Sequence, residues 1–567
     1  MRLTRVFASL IVACLLHACS PAAPPPAPAV ERTQAAVAMP DTYGAQVAEA
    51  VLRAGGNAVD AAVAAGFALA VTYPEAGNIG GGGFMLIHMN DADTFLDYRE
   101  TAPLAAQRDM YLDEHGAVIA DASLVGHRAA GVPGTVAGFW EAHRRFGVLP
   151  WRDLVMPAAR LADEGFVVAG SLVEEMKATR EWLDGRTNFT GYFGDLQAGQ
   201  RFRQPELAAT LRRIAESGPE DFYRGRTAEL IVAEMQRGDG LITAEDLDRY
   251  KAVWREPLRA AWRDFEIVSA PPPSSGGFAV IQLLKMKDYL AQQFAGVPHN
   301  SPQYIHLVAE IEKRVFADRA EYLGDPDYVD TRIDELLDED YIARRAREVN
   351  PHRISTVAAA QPGLESLDTT HFSILDRWGN AVSNTYTLNI SFGSGVVVTG
   401  AGFLLNDEMD DFSAKAGVPN TYGVIGSAAN EIQPGKRMLS SMTPTLLLTD
   451  GDVALVIGTP GGSTIFTSVF QTIVNIYDFG MTPQQAVGAT RFHHQLLPPD
   501  EIVYSPGRPL PDETISALGD IGYDARPNDW EFGDMQVILK DGEGLHPASD
   551  PRNRGDSRVI EQQPLPE

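Results

Sequence analysis

Cysteine is almost missing from this chain. Its 567 residues include only two, Cys14 and Cys19, both in an N-terminal stretch that reads as a leader. The mature body therefore has no disulfide framework, no Cys-ligated metal and no thiol nucleophile. Positive charge is scarce as well, with 47 Lys+Arg against 75 Asp+Glu and a formal net charge of −28. A broad nucleic-acid footprint needs clustered Lys and Arg, and so does electrostatic docking on anionic lipid, so neither partner is expected. Long apolar runs are also lacking. The leader run Val6–Leu16 is too short to span a bilayer, and no other stretch reaches the roughly 18 uninterrupted apolar residues that would. What remains is 45% hydrophobic and 22% charged, the balance of a folded rather than a disordered chain.

Arg2 and Arg5 followed by Val6–Leu16 suit a secretory signal. Leu16-His17-Ala18-Cys19 resembles a bacterial lipoprotein cleavage box. That implies a signal at residues 1–18, a lipidated Cys19, and an exported, periplasmic protein that meets the membrane only through its anchor. A plain cleaved signal is the alternative, because His17 is an unusual occupant of such a box. Residues 19–38 read as a Pro/Ala-rich linker, stiffened by Pro24-Pro25-Pro26.

The body shows no internal repeat. Ala45–Leu52 reads as a helix ending at Gly55-Gly56, and Asn57 as the N-cap of a helix over Ala58–Val71. Gly80-Gly81-Gly82-Gly83 leads into an expected strand at Phe84–Met89, with Thr94–Tyr98 as its partner. Helical patterns follow at Trp151–Glu164, Thr227–Gln236, Pro302–Tyr322 and Ile333–Val349, and again at Thr464–Tyr477. From Pro351 to Asp368 periodicity is lost, which predicts an exposed, mobile segment. Helices with paired strands, then more strands, predict a layered α+β body around stacked sheets.

Two hairpins carry the argument toward chemistry. The first joins Thr369–Asp376 to Ala381–Ile390 through a Gly-Asn turn. If Asp376 pairs with Ala381, Thr369 falls opposite Leu388, flanked by Thr387 and Asn389. A one-residue change of register keeps that neighbourhood but alters which side chain shares a face with Thr369. The second joins Thr443–Thr449 to Asp452–Ile457 through Asp450-Gly451, a pair suited to a type I′ turn. Extended backward, with Pro444 as a candidate bulge, it sets Ser440 opposite Gly461 and Ser441 opposite Pro460. Gly461-Gly462-Ser463 then opens a helix, a corner whose backbone N–H groups suit an oxyanion. Other motifs read as structural. His493 and His494, adjacent in a strand, point to opposite faces. Asp407-Glu408-Met409-Asp410-Asp411 has too few well-spaced ligands for a metal, and Gly80–Gly83 lacks the Lys of a phosphate loop.

Taken together and in order, these residues resemble the γ-glutamyltransferases, which are N-terminal-nucleophile hydrolases. The resemblance runs from about Ala36 to Arg552. It is carried by Gly55-Gly56-Asn57-Ala58-Val59-Asp60, Gly80–Phe84, Arg99-Glu100-Thr101-Ala102-Pro103 and Gly131-Val132-Pro133-Gly134 in the first half. Ala317-Asp318-Arg319, Thr369-Thr370-His371, Leu405–Phe412 and Leu439–Pro444 continue it, with Gly461-Gly462-Ser463, Arg491–Gln495 and Ser549-Asp550-Pro551-Arg552 beyond.

The resemblance implies a four-layer αββα sandwich made by two chains cut from one precursor. The cut falls between Asp368 and Thr369, giving a large subunit (39–368) and a small one (369–567) that form a heterodimer. Thr369 is then nucleophile and, through its freed α-amine, base, since a terminal amine with a pKa near ~8 works close to neutral pH. Thr387 matches the threonine that hydrogen-bonds it, and Gly461 and Gly462 match the oxyanion glycines. Arg99 matches the arginine that grips the donor α-carboxylate, with Ser440 and Ser441 beside it. Asn389, Glu408 and Asp411 match the α-ammonium group. Tyr422, in Ala416–Ser427, matches a lid. The implied reaction moves the γ-glutamyl group of glutathione or a related amide to Thr369, then to water or to an amino acid or peptide amine. It needs no metal and no organic cofactor. Two alternatives are a glutaryl-type (β-lactam) acylase of the same superfamily and a non-catalytic binding lipoprotein.

Overall fold

A computed structural model of the chain describes residues 33–356, 368–413 and 428–562. The leader with Cys14 and Cys19, most of the Pro/Ala linker, the Pro351–Asp368 segment from residue 357 to 367, and the lid with Tyr422 lie outside the described residues.

Two antiparallel sheets form the centre. The first has seven strands in the order Asp556–Glu561, Gln34–Met39, Asp368–Leu375, Ala381–Asn389, Gly82–Met89, Ala92–Asp97 and Val253–Arg255. The second has six: Gly544–Ser549, Gln536–Asp541, Asp452–Gly458, Thr445–Thr449, Phe265–Ser269 and Leu258–Trp262. Gln34–Met39 begins inside the stretch read as linker, so its last residues are buried strand and not spacer. Alternation sorts each strand between two cores. Phe372 and Ile374 pack with the helices Ala58–Thr72, Thr135–Phe146 and Trp151–Glu164. Ala36, Ala38, Phe84, Leu86 and Leu375 instead meet Val268, Leu446, Val456 and Ile538 between the sheets. Gly276–Tyr289, Pro302–Tyr322 and Thr464–Tyr477 cover the far side of the second sheet. The expected αββα layering is therefore the observed one.

Local signals place most elements. Asn57 caps Ala58–Thr72 in a full capping box with Asp60, and every residue of that helix is buried. Trp151–Glu164, Pro302–Tyr322 and Thr464–Tyr477 have the bounds expected from their periodicity. Ile333–Val349 does not hold as one helix. It breaks into Ile333–Leu336 and Glu339–Arg347, because the Asp338 side chain accepts from the Tyr341 amide and restarts the helix as an N-cap.

The first hairpin register is corrected by one residue throughout, and the second only beyond its first two pairs. In the first, Ala381 pairs with Leu375, and Thr369 lies directly opposite Thr387 rather than Leu388. Asp376 extends this register by one rung, its amide donating to the Asn380 carbonyl (2.9 Å), while its side chain fastens the turn. Its Oδ1 accepts from the amides of Trp378 (2.9 Å) and Asn380 (3.0 Å), while Oδ2 accepts from Asn380 Nδ2 (2.9 Å) and from the Ala58 amide (3.0 Å). This buried carboxylate thus ties the turn to a helix N-terminus. Asp376→Ala strands four donors and is expected to cost about 3 kcal/mol or more, measured by chemical denaturation; a loss within experimental error would show that the turn holds without it.

In the second hairpin, Asp450 (φ 52°) and Gly451 (φ 86°) make the expected primed turn, and Thr449 pairs with Asp452. The bulge comes between Leu447 and Leu448, where the opposing strand carries Ala454 as an extra residue, and not at Pro444. The strands stop at Thr445 and Gly458, so Ser440 and Ser441 do not continue the ladder to Gly461 and Pro460. Ser440 bridges Ser274 instead.

Candidate active site

Thr369 begins the described part of its strand face, and Thr369, His371, Ser373 and Leu375 alternate toward the second sheet. Directly opposed residues of an antiparallel pair share a face, so Thr387 stands beside Thr369, Thr385 beside His371 and Ser383 beside Ser373. This end of the inter-sheet layer is polar. His371 Nδ1 is 2.8 Å from Thr385 Oγ1, Ser373 donates to the Gln536 carbonyl (3.0 Å), and Ser383 donates to that of Ile457 (3.0 Å). Burial pushes His371 down to about 3, so its ring is neutral and works as a hydrogen-bond bridge.

At the position next to the Asp368–Thr369 bond the ladder is irregular. Asn389 pairs with Asp368 after skipping Leu388, and Asn389 sits at φ 90°. The Asn389 amide donates to Thr387 Oγ1 (2.8 Å), which orients that hydroxyl, and its side-chain Nδ2 donates to the carbonyl and carboxylate of Asp407 (3.1 and 3.2 Å).

Across the sheet, Thr387 pairs with Gly82, and Tyr98 exchanges both backbone hydrogen bonds with Gly83. Thr369, Thr387 and Gly82 thus form one row, and Arg99 follows Tyr98 just past the end of the neighbouring strand. Three strand spacings separate the strand of Thr369 from the one that leads to Arg99, about 14 Å between backbones. An extended arginine side chain and a γ-glutamyl group placed end to end cover that span. The glycine run makes the row close-packed, since a Cβ on Gly81 would stand 2.1 Å from the Thr387 carbonyl oxygen.

The Arg99 guanidinium is buried and surrounded by acids. Nη1 lies 2.6 Å from Glu408 and 3.7 Å from Glu100, Nη2 contacts Asp411, and Nη2 also donates to the Leu439 carbonyl (3.3 Å). Burial alone would lower its pKa, but Glu408, Asp411 and Glu100 more than reverse that and keep it charged. Burial raises Glu408 well above the carboxylate range and raises Asp411, with Arg99 opposing both. The Leu439 contact brings Arg99 beside Ser440 and Ser441 in sequence. Ser441 Oγ lies 3.4 Å from Ser275 Oγ and 3.4 Å from Arg319 Nη2, and Arg319 also donates to Ser275 (2.9 Å). Arg99, expected to hold a carboxylate, is therefore in direct contact with Glu408 and Asp411, expected to receive an ammonium.

Gly461 (φ 129°) and Gly462 (φ 54°) form a corner in backbone conformations that favour glycine. Their carbonyls accept from Thr464 (3.0 Å) and Ile465 (3.1 Å), while among the described residues no hydrogen bond uses either N–H. The strand leading there passes over the first sheet, and a Cβ on Gly458 would collide with the His371 ring. Tyr422 and Cys19 lie outside the described residues, and Asp368 is described by its backbone alone. Among the described residues no group of three or more His, Cys, Asp or Glu could hold a metal ion.

Two buried asparagines were not singled out in the sequence, Asn78 outside every motif and Asn406 within Leu405–Phe412. Asn78 donates to the Thr387 carbonyl (2.8 Å) and accepts from the Gly81 amide (2.9 Å). Asn406 donates to the carbonyls of Gly80 (2.8 Å) and Gly131 (2.9 Å) and accepts from the amides of Gly131 (2.8 Å) and Glu408 (3.1 Å). Both sit next to glycine or acidic motifs, and only side chains able to donate and accept together satisfy such loops.

A family model described as gamma-glutamyltranspeptidase matches residues 44–560. The chain belongs to the γ-glutamyltranspeptidase family. It is 58% identical over 525 residues to a glutathione hydrolase proenzyme of Pseudomonas aeruginosa, covering 93% of this chain and 94% of that one. A second, from Escherichia coli, is 43% identical over 576 residues, covering 98% of each. Among solved structures, a cephalosporin acylase from Bacillus halodurans superposes with a TM-score of 0.79 at 25% identity, covering 96% of this chain and 99% of that one. As a γ-glutamyltranspeptidase, the chain is an acyl-transfer enzyme of γ-glutamyl compounds with an N-terminal-nucleophile hydrolase fold.

Proposed function

We propose that the chain is a proenzyme that cuts itself between Asp368 and Thr369 and then hydrolyses glutathione and related γ-glutamyl amides, or passes the γ-glutamyl group to amine acceptors. The observation that carries this reading is the row of Thr369, Thr387 and Gly82 in one sheet, with Arg99 and its two acids just past the end of the next strand. A zwitterionic donor enters that row by exchange. Its α-carboxylate takes the Arg99 guanidinium, a bidentate match, and its α-ammonium takes Glu408 and Asp411, which Arg99 releases. Asn389, held on Asp407, borders the ammonium end, and Ser440 and Ser441 border the carboxylate.

The donor γ-carbonyl then meets the Thr369 hydroxyl. The freed α-amine takes the hydroxyl proton, Oγ1 attacks, and the tetrahedral oxygen is received by the N–H groups of Gly461 and Gly462, each such donor being worth about 10²–10³ in rate. The leaving amine recovers the proton, and water or an acceptor amine resolves the Thr369 ester. The chemistry runs on protein groups alone. Interleaving supports a stable heterodimer after the cut, because Gln34–Met39, which leads into the large subunit, lies between two strands of the small one, pairing with Ser373, Ile374 and Leu375 on one side and with Asp556–Glu561 on the other. The leader supports export to the periplasm with a lipid on Cys19.

Glutathione and its glutaryl analogue, which lacks only the α-amine, distinguish this activity from a glutaryl acylase. Release of the shared cysteinylglycine product is expected to fall at least about 100-fold in kcat/KM for the glutaryl compound, since two charged hydrogen-bond acceptors lose their partner. Equal turnover of both would replace γ-glutamyl transfer with the acylase activity.

A further inference from the structure

Arg99 is held in place by a buried circuit that the family motifs leave unmentioned. Asp97, fully buried at the end of its strand, accepts the Arg99 amide on Oδ1 (3.0 Å). The same oxygen lies 3.3 Å from Nε of Arg437, and Oδ2 accepts from Nε of Arg255 (2.7 Å). Arg437 is itself buried and fixed at both ends. Its amide donates to Asp325 Oδ2 (2.8 Å) and its Nη2 to the Lys251 carbonyl (2.8 Å). Two residues on, the Leu439 carbonyl receives the Arg99 guanidinium (3.3 Å), and Ser440-Ser441 follow. Tyr250 completes the enclosure by donating to the Arg99 carbonyl (2.8 Å).

We propose that Asp97 is a positioning residue for the donor α-carboxylate, locking Arg99 to the Arg437–Ser441 segment so that guanidinium and serine hydroxyls meet one carboxylate from two sides. The inference rests on the reading of Arg99 given above. The physical argument is geometric. A guanidinium recognises a carboxylate in one plane, and a floppy arginine loses that advantage to rotamer entropy. Here the backbone on each side of Arg99 is pinned, the amide by Asp97 and the carbonyl by Tyr250. Asp97 then reaches across to the other half of the pocket, which lies more than three hundred residues away in the chain and, after the cut, in the other subunit. Arg255 supplies a second cation, which it also shares with Asp327 (2.8 Å) at the surface, so that Asp97 stays paired on both oxygens.

The test is kinetic, with γ-glutamyl-anilide and its decarboxylated counterpart, 4-aminobutanoyl-anilide, as donors. The wild-type ratio of kcat/KM for the two reports α-carboxylate recognition. Asp97→Asn keeps the shape but weakens both ion pairs. It is expected to raise KM for the γ-glutamyl donor by about 10–100-fold, the range in which outer-shell partners act on metal ligands they orient, and to lower the two-donor ratio correspondingly. Arg437→Met, which leaves Asp97 paired with Arg255, is expected to move the same ratio in the same direction and serves if Asp97→Asn does not mature. A role in general stability alone would lower both donors together and leave the ratio where it was. That result in the variant that folds overturns the proposal. A wild-type ratio near one would instead remove Arg99 from α-carboxylate binding, and this inference with it.

Discussion

Thr369→Ala is expected to leave one uncut chain where the native sequence yields two, and to lower glutathione turnover by at least about 10⁴-fold. The native small subunit would contain 199 residues, 567 − 368, and begin at Thr369. In the cut, Thr369 Oγ1 attacks the Asp368 carbonyl carbon and the peptide nitrogen leaves as an amine, giving an ester. Water then hydrolyses that ester, which frees the Asp368 carboxyl and restores the Thr369 hydroxyl. One side chain is thus needed twice. Only after the first use does the α-amine exist, so the same substitution removes nucleophile and base together. The surroundings favour reaction at this bond. The opposing strand skips Leu388 and holds Asn389 at φ 90°, so the ladder is irregular where the carbonyl must turn toward the hydroxyl. Intact mass resolves the outcome. Two fragments from Thr369→Ala, with masses that place the cut at the same bond, would sink the N-terminal nucleophile.

Arg99→Ala is expected to raise KM for γ-glutamyl donors by about 100-fold, the loss of two charge-assisted hydrogen bonds of about 1.5 kcal/mol or more each, with a smaller effect on kcat. Arg99→Lys should fall between, because an ammonium keeps the charge and loses the fork. The alanine variant also leaves Glu408, Asp411 and Glu100 buried without their cation. Glu100, already pushed by burial up to about 8 with Arg99 opposing, and the other two then rise further. A carboxylate whose folded pKa lies above its unfolded value of about 4.3 favours the folded state least once both states are ionised. The stability lost in Arg99→Ala should therefore be smallest near pH 4 and grow as the pH rises toward the folded values. Unchanged donor kinetics in that variant would take Arg99 out of the binding site.

The sequence by itself determined what depends on near neighbours. Asn57 with Asp60 three residues on announces a helix start, Asp450-Gly451 announces a primed turn, and the periodicity of Trp151–Glu164, Pro302–Tyr322 and Thr464–Tyr477 sets their length. Each signal is a hydrogen bond, a backbone preference or a side-chain repeat within a few residues. The first hairpin also placed Thr369 in the neighbourhood of Thr387.

Tertiary structure decided register and contact. Whether Thr369 faces Thr387 or Leu388 turned on the rung that closes the turn, where the Asp376 amide donates to the Asn380 carbonyl and the Asp376 carboxylate ties the turn to the Ala58 amide. Ser440 does not face Gly461 because the strands stop at Thr445 and Gly458, after a bulge at Ala454 that no residue type announces. Asp97 bound to Arg437, and Arg99 bound to Glu408 and Asp411, join residues more than three hundred positions apart. Buried charges must be paired, and which partner is present depends on how the two sheets stack, a property of the whole chain that no local window contains.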